Sequence, residues 1–294
     1  MTATIGNPGS WSLGQIRAAW RYLTSVVLRL GGGDTADARA LPAIRRIAVA
    51  DVRIALRKGV EDFAACRTDV IFLCIFYPIM GVCLAWIAFE RNFLPLIFPL
   101  ISGFALIGPV AAVGLYEMSR RRELGMTPNW ASAFSVLRAP SFGAILILGL
   151  MLLAIFVIWI FTANEIYALT LGPEPPLTMG GFARDVLTTE AGWAMIAIGF
   201  AVGFVFAAFV LAISVVSFPM LLDREVGLPV AVVTSLRVAL RNPVPIGLWG
   251  LIVALGLALG TLPFFLGLIV IMPILGHATW HLYRRAVIDE RPDR

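Results

Sequence analysis

Charge is what this sequence has least of. Asp, Glu, Lys and Arg make up 14% of its 294 residues, against about 25% in soluble globular chains. None of the four occurs in the 40 residues from Val244 to Tyr283. A water-soluble domain has no place for such a stretch, whereas one bilayer crossing takes only ~20 residues. Lysine is nearly missing: Lys58 stands alone and every other basic residue is arginine. Cysteine is limited to Cys66, Cys74 and Cys83 without CxxC spacing, which excludes a disulfide framework and leaves small buried residues. Residues 1–10 lack the basic start and continuous apolar core of a cleavable signal peptide. Catalytic patterns are missing too. There is no Walker loop, no GxSxG, no HExxH and no carboxylate pair within one apolar run, so an enzyme is not expected.

What is present is apolar and segmented. Uncharged runs cover Val70–Phe89, Phe93–Tyr116, Phe142–Ala163, Ala191–Leu222 and Val244–Tyr283. As one helix the last would be ~60 Å long, twice the hydrocarbon thickness. It must therefore fold back, and Gly260, Thr261, Leu262 and Pro263 are the expected turn. The expected fold is all-α: a polytopic membrane protein with six transmembrane helices arranged as three hairpins, plus amphipathic interfacial helices on the cytoplasmic side.

Charge placement tests this count. If the N-terminal segment, residues 118–141, residues 223–243 and the C-terminus share one side, that side holds 21 of the 23 basic residues. Arg91 and Arg184 fall on the other, with Glu90, Glu165, Glu174, Asp185 and Glu190. The positive-inside rule then puts both termini in the cytoplasm. The net charge of +5 is thus topological, and no nucleic-acid partner is expected. The long outward loop 164–190 carries Gly-Pro-Glu-Pro-Pro at 172–176, the composition of an ordered turn or stiff connector.

Residues 1–42 read as a cytoplasmic amphipathic helix and linker, 43–288 as the six-span membrane domain, and 289–294 as a cytoplasmic tail. In 11–30, Leu13, Ile16, Trp20, Leu23, Val27 and Leu30 recur at helical spacing among Arg17, Arg21 and Arg29. That pattern suits a helix in the headgroup plane or one packed on the bundle. A second amphipathic stretch, 48–66, places Val52, Leu56, Val60 and Phe63 on one face with charges opposite. Leu137-Arg138-Ala139-Pro140 and Leu240-Arg241-Asn242-Pro243 each follow a short amphipathic helix and precede an apolar run, and Cys66-Arg67-Thr68-Asp69 holds the matching place upstream. This suggests three parallel copies of one unit: interfacial helix, span out, span back.

Side chains that carry chemistry are few. His277 and His281 are the only histidines, and i,i+4 spacing puts both on one helix face. They suit a Zn or Cu site completed from elsewhere, or an interfacial belt with Trp280 and Tyr283. Arg120, Arg121 and Arg122, with Arg17 and Arg21, form a basic surface able to anchor the protein, to bind anionic lipid headgroups or to dock an acidic partner. Glu117 and Asp223 are placed to pair with arginines of neighbouring loops. Gly199 and Gly203, and Gly256 and Gly260, are one turn apart and allow close helix approach.

The segments Gly108–Glu123, Phe218–Pro243 and Gly276–Arg284 resemble an uncharacterised proteobacterial family of predicted multi-pass integral membrane proteins with a domain of unknown function. The resemblance spans 43–288. It implies a protein of the bacterial cytoplasmic (inner) membrane and supplies no activity. Such sequences are sometimes labelled relatives of a haem–copper oxidase subunit, but two histidines cannot ligate two haems and a copper. An accessory or assembly role beside a respiratory complex is compatible with that.

Three functions follow as expectations. The first is a non-enzymatic scaffold, accessory subunit or assembly factor engaging membrane proteins or lipid. The second is a transporter or channel for a neutral or apolar substrate, which requires a cavity lined by Ser102, Ser214 or Thr261. The third is metal or haem handling through His277 and His281. The residues identify no cofactor. The expected partners are the lipid bilayer, anionic headgroups, and a membrane protein or a second copy of the chain.

Overall fold

A computed structural model describes residues 41–90, 94–174, 176 and 178–288. Among these the fold is all-α, with a lone antiparallel bridge between Ile44 and Val287. In chain order the helices are α1 (Val49–Ala65), α2 (Arg67–Cys74), α3 (Phe76–Glu90), α4 (Ile97–Ala111), α5 (Val113–Glu123), α6 (Trp130–Ala133), α7 (Phe142–Thr170), α8 (Met179–Thr188), α9 (Glu190–Ser214), α10 (Ser217–Asp223), α11 (Leu228–Arg241), α12 (Pro243–Thr261) and α13 (Leu268–Ala286). The N-terminal amphipathic stretch, with Arg17 and Arg21, lies outside the described residues.

Five stretches are long and apolar enough to cross a bilayer: Arg67–Trp86, Ile97–Glu123, Phe142–Thr170, Glu190–Asp223 and Pro243–Thr261. The 40-residue uncharged run does divide, into α12 and α13. Its turn passes through Phe264 and Phe265, whose φ values of 52° and 65° lie in the left-handed region. Bulky residues seldom adopt that region, so the tight reversal is the reason for it. Gly260 meets Leu268 and Ile271, and Gly256 meets Ile271 and Leu275, so the two helices run antiparallel. The sixth expected span, α13, does not belong to the five. It is as long as α12, but its second half carries His277, His281, Arg284 and Arg285, and it is enclosed by other helices.

Three of the crossings are interrupted, the first of them at Ile75 between α2 and α3. The second passes from α4 to α5 at Ala112, three residues after Pro109, which lacks an N–H for the helical ladder. Beside the break, Ala111 C=O accepts from the Tyr77 hydroxyl at 3.2 Å. The fourth breaks at Val215 and Val216, ahead of Pro219. There Ser235 of α11 is spliced into the ladder: Val216 N–H donates to its Oγ at 3.2 Å, and that Oγ donates to Ala212 C=O at 2.8 Å. A side chain inserted between an amide and its i−4 carbonyl is a recognised cause of helix breaks.

Helices α1, α11 and the Trp130–Arg138 segment precede the first, fifth and third crossings. Of the face expected for α1, Val52 is buried and Leu56 and Phe63 pack half-buried on the core, while Val60 is not part of it. Val52, Ala55, Gly59 and Asp62 are turned inward, while Val60 is exposed. Close approach decides this: a Cβ on Gly59 would lie 2.7 Å from Ala278 Cβ and N and from Ile274 O of α13. Only a stripe of small residues lets the helices meet so closely. The loop expected over 164–190 is largely helical, because α7 continues to Thr170 and α8 covers Met179–Thr188. Thr178 and Thr189 cap α8 and α9 by accepting from Gly181 N–H and Gly192 N–H.

Candidate functional site

Where α1, α5 and α13 meet, four helix turns place polar side chains in the interior. Asp62, Ser119, His277 and His281 are all buried there. Asp62 Oδ2 lies 2.6 Å from Ser119 Oγ and 2.9 Å from His281 Nε2, and Oδ1 accepts from Arg122. Ser119 Oγ also lies 2.8 Å from His277 Nδ1. The protons follow from valence. An ionised carboxylate only accepts, so the single hydroxyl proton of Ser119 goes to Asp62, and Ser119 accepts from His277 Nδ1–H. His277 Nε2 then faces the interior with no partner. Burial pushes the Asp62 carboxyl up. The hydrogen bonds from His281 and Ser119, with the nearby histidines, outweigh it and hold the group below the usual carboxylate range.

Further carboxylates absorb most of the surrounding arginines. Glu117 takes Arg120 at 2.7 Å and Arg121 at 2.6 Å. Glu123 accepts from Trp280 Nε1 at 2.9 Å and from Arg284 at 3.1 Å. Asp223 accepts from the Tyr283 hydroxyl at 2.7 Å and faces Arg284 at 3.5 Å. Arg285 pairs with Asp51. These contacts bring the charged ends of α5, α10 and α13 and the start of α1 to one end of the bundle.

On a different face of α13 lies an apolar cavity of 320 Å³. Its walls come from α4 and α5 (Gly108, Ala112), α9 (Ala208, Ser214), α12 (Trp249, Ala254) and α13 (Met272, Gly276). The interruptions of the second and fourth crossings border it, through Ala112 and through Val215. Only Tyr116, Ser214 and Thr279 bring hydroxyls to the wall. The size is that of a small-molecule site, and its apolar lining with a few polar groups is the usual composition of one. In membrane proteins, broken helices are also where irregular backbone is tolerated because it lines a cavity.

Residues 97–223 match the family model described as predicted integral membrane protein (DUF2189). With five apolar helices of crossing length, a multi-pass membrane protein is what the sequence and the fold agree on. No curated protein and no solved structure matches the chain. The matched region holds Ser119, Arg122 and the interrupted second and fourth crossings, and ends before α11.

The residues singled out from sequence fall in different places. His277 and His281 do share a helix face, but their rings are directed to Ser119 and Asp62. Among the described residues no three His, Cys, Asp or Glu side chains are grouped to hold a metal ion. Arg120, Arg121 and Arg122 are each paired within the chain. Gly203 approaches the Trp159 ring, and Gly256 and Gly260 pack on α13, whereas Gly199 has open space beside it. Ser214 reaches the cavity. Ser102 is instead committed to Pro99 C=O and Trp159 Nε1, and Thr261 bonds Ala258 C=O. Sequence reasoning missed Asp62 and Ser119. A usable signal was the spacing of Ala55, Gly59 and Asp62, which puts the carboxylate on the small-residue face of α1.

Proposed function

We propose that this protein binds a neutral, apolar or amphipathic molecule of the bilayer in the cavity between its second, fourth and fifth crossings and α13, as a transporter or carrier would. The observation that carries this reading is the 320 Å³ cavity at the interruptions of two crossings. The hollow opens toward the bilayer, since Phe204, Ala208, Leu251 and Ala254 of its wall are exposed, so an apolar molecule can enter it from the lipid. The scaffold reading has less support. The outward face of α9, with Phe200, Phe204, Val205 and Phe209, is covered by lipid as readily as by a partner helix.

A topology belongs to the same reading. With α13 counted as a sixth crossing, the arginine-rich end assembled from α1, α5, α10 and α13 faces the cytoplasm of a bacterial inner membrane, as the positive-inside rule requires. The wall hydroxyls of Tyr116, Ser214 and Thr279 would orient the polar end of an amphipathic ligand.

The test is extraction and mass spectrometry of small molecules retained by the protein purified in mild detergent. Wild type is expected to retain an apolar species. Ala208→Phe and Ala254→Phe, which fill the cavity from opposite walls, are expected to lose it. Equal retention by wild type and both filled variants, or none in wild type, ends this reading.

A further inference from the structure

We infer that the charged end of the bundle holds an anion site, a pocket for a phosphate group, distinct from the apolar cavity and independent of what that cavity binds. The pocket measures 270 Å³ and is lined by Arg45, Lys58, Glu123, His281, Arg284 and Arg285. It shares no residue with the apolar cavity. Four permanent cations face one carboxylate across it. Arg284 and Arg285 are engaged, by Glu123 and Asp223 and by Asp51. Arg45 and Lys58 have no carboxylate partner among the described residues, and Lys58 is the chain's single lysine.

Both exposed cations project from backbone that is held in place. Arg45 N–H donates to Ala286 C=O at 2.8 Å, and Ile288 N–H to Ala43 C=O at 2.9 Å, so the segment before α1 is clipped to the end of α13. Buried Asn242 locks it from the other side, accepting from Ile47 N–H at 2.9 Å and donating to Arg45 C=O. Lys58 precedes Gly59, where α1 meets the α13 backbone. A fixed backbone gathers these cations around one concavity, so an anion that binds there pays only for ordering their exposed side chains. Arginine and lysine together suit a phosphate: one offers a planar fork, the other a compact point charge. The shared chemistry is a phosphate group, carried either by an anionic lipid headgroup or by a soluble compound.

The experiment uses the full-length protein in phosphatidylcholine nanodiscs, titrated with dihexanoyl phosphatidylglycerol, with inorganic phosphate, and with dihexanoyl phosphatidylcholine as the zwitterionic reference. Thermal unfolding and calorimetry report binding. Arg45→Gln/Lys58→Gln is expected to weaken binding at least about tenfold, as the loss of two charge-assisted contacts implies. Arg53→Gln/Arg57→Gln removes the same charge from α1 at residues that do not line the pocket and is expected to leave affinity within about twofold, because charges remote from the bound anion are screened. Binding of phosphatidylglycerol alone identifies a lipid headgroup. Binding of inorganic phosphate as well identifies a site for the phosphate itself. No binding of either probe, or equal losses in the two double variants, overturns the proposal, the latter by reducing the effect to net charge.

Discussion

Helices α9 and α13 invert the pattern of a water-soluble protein. The 25 residues of α9 are almost wholly apolar, yet only four are buried: Gly192, Val210, Ile213 and Ser214. The 19 residues of α13 include two histidines, a threonine and two arginines, yet thirteen are buried. In water the apolar helix would be the core. In a bilayer, lipid tails solvate Phe200 and Phe204 as well as another helix would, so apolarity no longer drives a helix inward. Polar groups do not have that freedom. Lipid offers them no hydrogen bonds, so they collect where other helices supply partners. Enclosure of α13 is therefore the consequence of its polarity, and the network around Asp62 is what makes that enclosure tolerable.

The sharpest way to break the comparison is to remove the carboxylate on which α13 depends. Asp62→Ala leaves Arg122 and His281 without their shared acceptor. Loss of one partner from a buried ionic cluster costs ~3–5 kcal/mol. Phe209→Leu on the lipid face of α9, outside the cavity wall, is expected to change stability by less than about 0.5 kcal/mol, as surface substitutions do. Reversible unfolding in mixed micelles measures both. Similar values for the two would show that α13 is not held by its polar contacts.

A second pair contrasts glycines. Gly59→Ala forces a methyl to within 2.7 Å of the α13 backbone, which cannot yield locally, and overpacking of this kind costs ~1–3 kcal/mol. Gly199→Ala on α9 meets nothing within 4 Å and is expected to be neutral or stabilising by up to ~1 kcal/mol through helix propensity. The same unfolding assay decides, and a destabilised Gly199→Ala would place an unseen partner on that face.

Tryptophans give a smaller contrast. Trp280→Phe removes the donor to Glu123 while Arg284 still satisfies that carboxylate. The expected loss is ~1.5 kcal/mol, the lower end for a hydrogen bond to a charged group. Trp193 is 59% exposed and donates only to Leu187 C=O. Its replacement by Phe is expected to cost less than about 0.5 kcal/mol.

The five crossings and the fold-back of the last run were legible in the sequence because lipid imposes a length and a charge rule on each segment separately. Relations between segments were less so. The uncharged run of α13 looks like a lipid-facing helix until α1 is laid along it. The pattern of large residues puts Val60 on the inward face of α1, whereas the close approach at Gly59 selects small residues beside Val52. Asp62 then went inward with that face, and no local pattern announces a carboxylate whose partners lie on α5 and α13. Arginines 120–122 show the same limit. Their run suggests a basic surface, but Glu117 and Asp62 supply acceptors that only the fold brings within reach.

Acid offers the most delicate test of the comparison, because it weakens the network without changing a side chain. The Asp62 carboxyl is held below its ordinary value of 3.8 in the folded protein. A depressed folded-state pKa contributes stability that is complete above the unfolded-state value and disappears as pH falls through the folded one. Wild type is therefore expected to exceed Asp62→Asn by a constant margin from about pH 7 to about pH 5, and by a shrinking one below about pH 4. Other carboxylates titrate in the same window, so the difference between the two unfolding midpoints is the quantity to follow, not either midpoint alone. A margin that stays constant into acid, or widens, would mean that Asp62 is not the charged centre that holds α13 inside.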